Sequence, residues 1–296
     1  MKKLLRYFMA GAKSCEIGKS VGMEVETQFV TRNGAPIDLE TSQRIIREFM
    51  MRFGWSVKST KGDLITEAVS QEGDKLLYEL GRHNLEFSSC VCTASSVVSH
   101  MRTLLDGLYR VASEFYAYPF FGPVLETDEN LLVIPDERDA AWLTLDGKEP
   151  LNLLARTSSV QFTVSVKPRQ AIDCINKLGE SISRFLVDYP QEALWRRYIL
   201  ESKAGYNPLR YGGPMKFDSI EDYCEKLASH DVVQGSRLVP YSEVKDLNIP
   251  LFLRSVWWYF RLRRYGSDLC IEVRTLSRKN DELFNKQLQM VLDILS

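Results

Sequence analysis

Histidine is scarce in this chain. Its 296 residues hold three, at positions 83, 100 and 230. A histidine-centred mechanism therefore has few candidates, and no Ser-His-Asp or Cys-His nucleophile signature is legible. Net charge is also nearly absent, at -1 from 38 basic and 39 acidic side chains. That balance gives no electrostatic reason to expect nucleic acid or an anionic membrane as partner. No apolar stretch is long enough to span a bilayer. The opening Met1-Lys-Lys-Leu-Leu-Arg-Tyr-Phe-Met-Ala resembles a signal peptide, but Arg6 breaks its short apolar run. A cytoplasmic protein is expected. Six cysteines are scattered through the chain, and Cys90-Val-Cys92 lacks the two-residue spacer of a zinc knuckle, with no second Cys/His pair beside it. Reduced packing thiols are the expectation. Glycine-rich phosphate loops are missing too. Neither G-x-x-x-x-G-K-[ST] nor G-x-G-x-x-G after a strand occurs, so any nucleotide chemistry must run through metal.

Glutamates in strand-like segments stand out against these absences. Glu24 and Glu26 lie in Val21-Gly-Met-Glu-Val-Glu-Thr-Gln-Phe-Val, Glu79 and Glu86 in Leu76-Leu-Tyr-Glu-Leu-Gly-Arg-His-Asn-Leu-Glu-Phe, and Glu272 in Cys270-Ile-Glu-Val-Arg. Strand side chains alternate, so Glu24 and Glu26 must share a face. Burying even one bare carboxylate costs several kcal/mol, so something positive must compensate. Oxygen donors alone select Mg²⁺, Mn²⁺ or Ca²⁺ over zinc.

The periodicities place strands over 20–31, 63–70, 75–89, 255–264 and 268–275. Segment 158–166 alternates cleanly, with Val160, Phe162, Val164 and Val166 on one face and Gln161, Thr163 and Ser165 on the other. Helices are expected over 41–53, 94–117, 168–187, 219–229 and 280–295, and 119–150 reads as irregular. Tight turns join several strands without a strict βαβα rhythm. That order predicts an α+β protein, an antiparallel sheet with helices packed on one side, in a single catalytic domain, 1–296, of which 1–19 form an N-terminal extension. Trp257-Trp258-Tyr259 reads as packing, and Tyr206 to Gly213 as a substrate loop or a plain connection.

Gly22-Met-Glu-Val-Glu26, the Glu79/Glu86 hairpin followed by a helix, Arg156-Thr-Ser-Ser-Val-Gln161 and Cys270-Ile-Glu-Val-Arg274 occur in this order over about residues 20–276. In that order they resemble the glutamate–cysteine ligase family of carboxylate-amine ligases, which shares the glutamine synthetase catalytic architecture. The resemblance implies a sheet curved into a funnel, with ATP and Mg²⁺ (or Mn²⁺) along its inner face and helices outside. It implies one metal on Glu26, Glu79 and Glu86, and a second on Glu24, Gln161 and Glu272. Arg274 would stabilise the transferring phosphoryl group beside Glu272, and Arg261 or Arg263 would contact ATP phosphate. Arg156 and Arg138 would bind a substrate carboxylate. The reaction implied is amide formation through an acyl phosphate between small-molecule amino-acid and amine substrates, with glutamate a candidate for the activated acid. The region 189–206 departs from the family's pattern, which leaves the amine undefined. A guanidino-kinase type of phosphotransferase on the same fold and a non-catalytic binding module are the alternatives. Homodimerisation stays open.

Overall fold

The computed structural model describes residues 1–13, 16–133 and 137–296, with the side chains of 137–140 outside the description. Alternation decides the central architecture. Strand β1 (Val21–Val30) buries Met23 and Val25 on one face and turns Glu24 and Glu26 to the other. Strands β2 (Ser56–Lys61), β3 (Leu64–Val69), β4 (Lys75–Tyr78), β5 (Asn84–Ser88), β6 (Tyr118–Phe120), β7 (Ser159–Ser165), β12 (Phe260–Tyr265) and β13 (Asp268–Ser277) join it in a nine-stranded sheet. The order is β12-β13-β7-β1-β5-β4-β3-β2, with β6 paired to β1. Every pairing within that sheet is antiparallel, and the sheet is open. Two short pairs lie apart from it: β8 (Tyr211–Gly212) with β11 (Trp257–Trp258), and β9 (Val232–Gln234) with β10 (Arg237–Val239).

Helices α2 (Leu39–Phe53), α3 (Val97–Glu114), α6 (Ala171–Glu180), α7 (Ile182–Leu186) and α11 (Phe284–Leu295) cover the apolar face. Asp38 caps α2 by accepting from Thr41 N at 2.7 Å, and Gly54 ends it in the left-handed region at φ 68°. Phe49 of α2 meets Phe87 of β5 with ring centroids 5.5 Å apart, and Phe185 of α7 meets Phe260 of β12 at 5.1 Å. Helix α1 (Lys2–Met9) packs on β12 and on α9 (Ile220–Ala228) through buried Leu4 and Phe8. The protein is therefore α+β.

Two features differ from the sequence reading. The stretch expected to be irregular contains α4 (Glu137–Asp146) and α5 (Lys148–Leu154). Helix α8 (Gln191–Glu201) packs on α5, and with α10 (Ile249–Arg254) these elements stand over the polar face of the sheet. Helices thus flank both faces. The expected helix over 168–187 is divided, with a 3₁₀ turn at Pro168–Gln170 and a break at Ser181 between α6 and α7. Among the described residues, no helix is long and apolar enough to cross a membrane.

Candidate active site

The polar face of the central strands and the elements above it enclose a cavity of about 900 Å³. Register assembles its floor. Glu26 of β1 lies opposite Glu86 of β5, and Glu24 lies between Gln161 of β7 and Ser88 of β5. Glu79 follows β4, held by its backbone N–H donating to Asn84 O at 3.2 Å. Oxygens of Glu26, Glu79 and Glu86 come within 4.8 Å of one another. Burial, and then Glu79, push the Glu26 carboxyl well above its ordinary range. Burial, then Glu24 and Glu79, do the same to Glu86. Ser159 N donates to Glu26 Oε2 at 2.8 Å and Gln161 Nε2 to Oε1 at 3.2 Å, which fixes that carboxylate but supplies no cation. Three crowded oxygen donors with no ion pair among the described residues suit a hard divalent ion, and a set made only of carboxylates is the donor chemistry of Mg²⁺ and Mn²⁺.

The second set expected to hold metal is arranged differently. Gln161 Oε1 is buried with no hydrogen-bond partner, an acceptor open to a ligand. Burial and then the charge of Glu272 raise Glu24. Glu272, however, already has counterions. It accepts from Arg261 Nε at 2.7 Å and pairs with Arg261 Nη2 at 2.5 Å, with Arg274 Nη1 at 3.6 Å. Against burial, which raises it, Arg261, Arg263 and Arg274 pull its carboxyl down to about 2. A metal on Glu272 has three guanidinium groups as competitors.

The arginines divide by what they touch. Arg261 is 2% exposed, and its Nη1 donates to the carbonyls of Leu253 and Val256 while Nε and Nη2 hold Glu272. Little of that fork remains for phosphate. Arg263 and Arg274 line the cavity with free capacity: Arg263 Nη1 has no hydrogen-bond partner, and the only ion pair of Arg274 among the described residues is the long one to Glu272. Arg156 is half-buried, and its side chain is not part of the cavity wall. Arg138 is the second residue of α4, and its side chain lies outside the described residues. Two of the histidines, His83 and His230, are buried away from the cavity, and burial lowers them to about 3 and about 4.

An aromatic wall faces the charged floor, and sequence reasoning missed most of it. Trp142, Tyr189, Trp195, Tyr198, Tyr211, Trp257 and Tyr259 all border the cavity. Trp195 stacks on Tyr211 with centroids 5.2 Å apart and planes 2° apart. Glu192 accepts from Tyr211 Oη at 2.7 Å and also from Tyr259 Oη, which pins the wall. These rings come from α4, α8, β8, β11 and the segments beside them, so no single window of sequence shows them together.

No protein-family model matches the chain, and no curated protein matches it. Solved structures do. A bifunctional glutathione synthetase from Pasteurella multocida superposes with a TM-score of 0.52 at 14% identity, over 93% of this chain and 39% of that one. A glutamate–cysteine ligase from Francisella tularensis, in complex with AMP, gives 0.49 at 12% identity, over 95% of this chain and 67% of that one. The ligase PafA, in complex with the prokaryotic ubiquitin-like protein Pup, gives 0.38 at 10% identity, over 93% and 46%. This chain spans about two fifths of the length of the glutathione synthetase, and at that identity the two are similar in fold.

Proposed function

We propose that the chain is an ATP-dependent carboxylate–amine ligase that joins an amino-acid carboxylate to an amine through an acyl phosphate. The observation that carries this is the facing of Glu26, Glu79 and Glu86 against Arg274 and Arg263 across one cavity. In this reading the open sheet is the catalytic sheet of glutamine synthetase-like enzymes, and the funnel curvature implied by the family resemblance belongs to the proposal. The fold shared with the glutathione synthetase supports it.

A divalent ion held by the three glutamates would neutralise ATP phosphate charge. Phosphoryl transfer needs positioning and charge stabilisation rather than a nucleophilic side chain, which accords with a cavity floor free of histidine. Arg274 and Arg263 bind the transferring phosphoryl through their planar forks. The carboxylate takes the γ-phosphoryl and ADP leaves; the amine then attacks the acyl carbon, phosphate departs and the amine proton passes to solvent or a carboxylate. The aromatic wall excludes water from the acyl phosphate. Arg261 holds Glu272, and so Arg274, in place.

The test is an assay of the purified chain with ATP, Mg²⁺ and a panel of amino acids and amines, reading ADP and amide product together. ADP and amide should appear in equal amounts only with both substrates, and Glu26→Gln should abolish both. ADP formed with a single phosphorylated product, or undiminished turnover in Glu26→Gln, sinks the ligase reading.

A further inference from the structure

A second donor cluster lies past the end of β5, and its Cys90 borders the same cavity as the glutamates. Cys90 and Cys92 follow the end of β5, where Cys92 bridges to Val21, and exposed Val91 points away between them. His100 stands in the first turn of α3, and Asp74 closes the Ser70–Asp74 turn that leads into β4. Folding brings these four side chains together. Cys90 Sγ is 4.0 Å from Cys92 Sγ and 3.8 Å from His100 Nε2, and donor atoms of Cys90, Cys92 and His100 all lie within 4.8 Å of one another. His100 Nε2 is 2.7 Å from Asp74 Oδ1. The pairing missing from the local sequence is supplied by residues eight or more positions away.

Zinc–sulfur bonds of about 2.3 Å and zinc–nitrogen bonds of about 2.0 Å, arranged tetrahedrally, require S···S edges of about 3.8 Å and S···N edges of about 3.5 Å. The observed 4.0 and 3.8 Å are close to those edges without any rearrangement. Asp74 is built for its position. It is 2% exposed, and its Oδ1 also accepts from Cys90 N at 2.7 Å while Oδ2 accepts from Ser70 Oγ at 3.1 Å. Two sulfurs and one imidazole nitrogen are a soft, three-donor set, opposite in chemistry to the oxygen-only glutamates.

We propose that Cys90, Cys92 and His100 form a three-donor site for a thiophilic divalent metal, Zn²⁺ in the first instance, with the Asp74 carboxylate beside it. The ion ties the end of β5 to the start of α3. Both thiols lose their protons to solvent when the ion binds, and no redox step is involved.

The full chain, reduced and freed of metal by chelation, is titrated with Co²⁺ and then with Zn²⁺. One equivalent of Co²⁺ should give a near-ultraviolet thiolate-to-cobalt charge-transfer band and the intense visible bands of tetrahedral cobalt, and Zn²⁺ should bleach both. Cys92→Ser should halve the charge-transfer band, and Cys90→Ser with Cys92→Ser should remove it. Asp74→Asn should weaken Co²⁺ binding about 10- to 100-fold. Glu26→Gln should leave the bands unchanged, because its oxygens give no sulfur charge transfer. A folded wild-type chain that shows no charge-transfer band overturns the proposal, as does a band that survives in the double serine variant.

Discussion

Arg261→Met separates two roles for a buried arginine. Arg261 and Glu272 are each 2% exposed, and the pair forms part of the cavity wall. Removing one member of such a pair leaves the other charge buried, which costs about 3–5 kcal/mol. Arg274 at 3.6 Å remains near Glu272, so the lower part of that range applies to the charge alone. The carbonyl of Val256 also loses its donor, at about 1–3 kcal/mol, whereas Leu253 O keeps a backbone donor in Val256 N. Arg261→Met should therefore destabilise by about 3–5 kcal/mol in urea unfolding, with an unchanged slope. Arg261→Met combined with Glu272→Leu removes the orphaned charge and should be at least about 1 kcal/mol more stable than Arg261→Met alone. A single variant that loses less than about 1 kcal/mol, or a double variant no more stable than the single, refutes the assignment of Arg261 as an internal counterion. The alternative role, direct phosphate binding, predicts near-native stability with lost nucleotide affinity.

Three further outcomes follow from the same geometry. Burial and the neighbouring glutamates raise Glu86, so its stabilising contribution is complete below the ordinary value of 4.5 and is lost as pH rises through the raised one. Glu86→Gln should thus become progressively more stable than the wild type above that pH in chelator, and urea midpoints that differ equally at every pH would contradict this. Mn²⁺ at a hundred times its dissociation constant should stabilise the wild type by about 2.7 kcal/mol, seen as a raised thermal midpoint, and an equal rise in Glu26→Gln would count against the three-glutamate site. In α6, a Cβ at Gly179 would lie 2.0 Å from Met215 O, a backbone atom that cannot swing aside. Gly179→Ala should cost about 1–3 kcal/mol or more, and an unchanged midpoint in urea would show that the segment at Met215 gives way.

The strands that carry the site were the most legible part of the chain. Each has one apolar face and one polar face, so parity alone put Glu24 with Glu26 and Gln161 opposite Phe162. What parity cannot supply is the partner. Arg261 and Arg263 are two apart on one strand face and look alike in sequence; they differ because α10 brings the Leu253 and Val256 carbonyls under Arg261 and not under Arg263. The six residues of β2, Ser-Val-Lys-Ser-Thr-Lys, are all exposed and show no buried period, so that edge strand left no signal. Helix α8 has only Gln191, Tyr198 and Ile199 buried, and its other ring, Trp195, faces the cavity rather than the core. The Cys90–Cys92–His100 group was hidden for a different reason: local spacing excluded a knuckle, and only the return of α3 over the sheet supplies the nitrogen.

The charges of the cavity are sorted along the sheet. Arginine and its partner Glu272 occupy β12 and β13, the clustered glutamates occupy β1, β5 and the end of β4, with Glu67 of β3 paired to Lys58 and Lys75 beyond them, and β7 contributes the neutral Gln161. With neighbouring strands about 4.8 Å apart, β13 and β1 stand about 10 Å from one another across β7. A fold stabilised by its own ion pairs would close that gap, since a pair that neutralises two buried charges recovers part of their desolvation cost. Here Glu272 draws in the nearest guanidinium, while Glu24 and the three clustered glutamates form no ion pair with Arg263 or Arg274 among the described residues. The unspent negative charge at one end and the unspent positive charge at the other each cost stability in the empty cavity. Both costs are offset at once by a cation on the glutamates and an anionic phosphate chain running from it to the arginines, and that pairing of ligands is what ATP with a divalent ion presents.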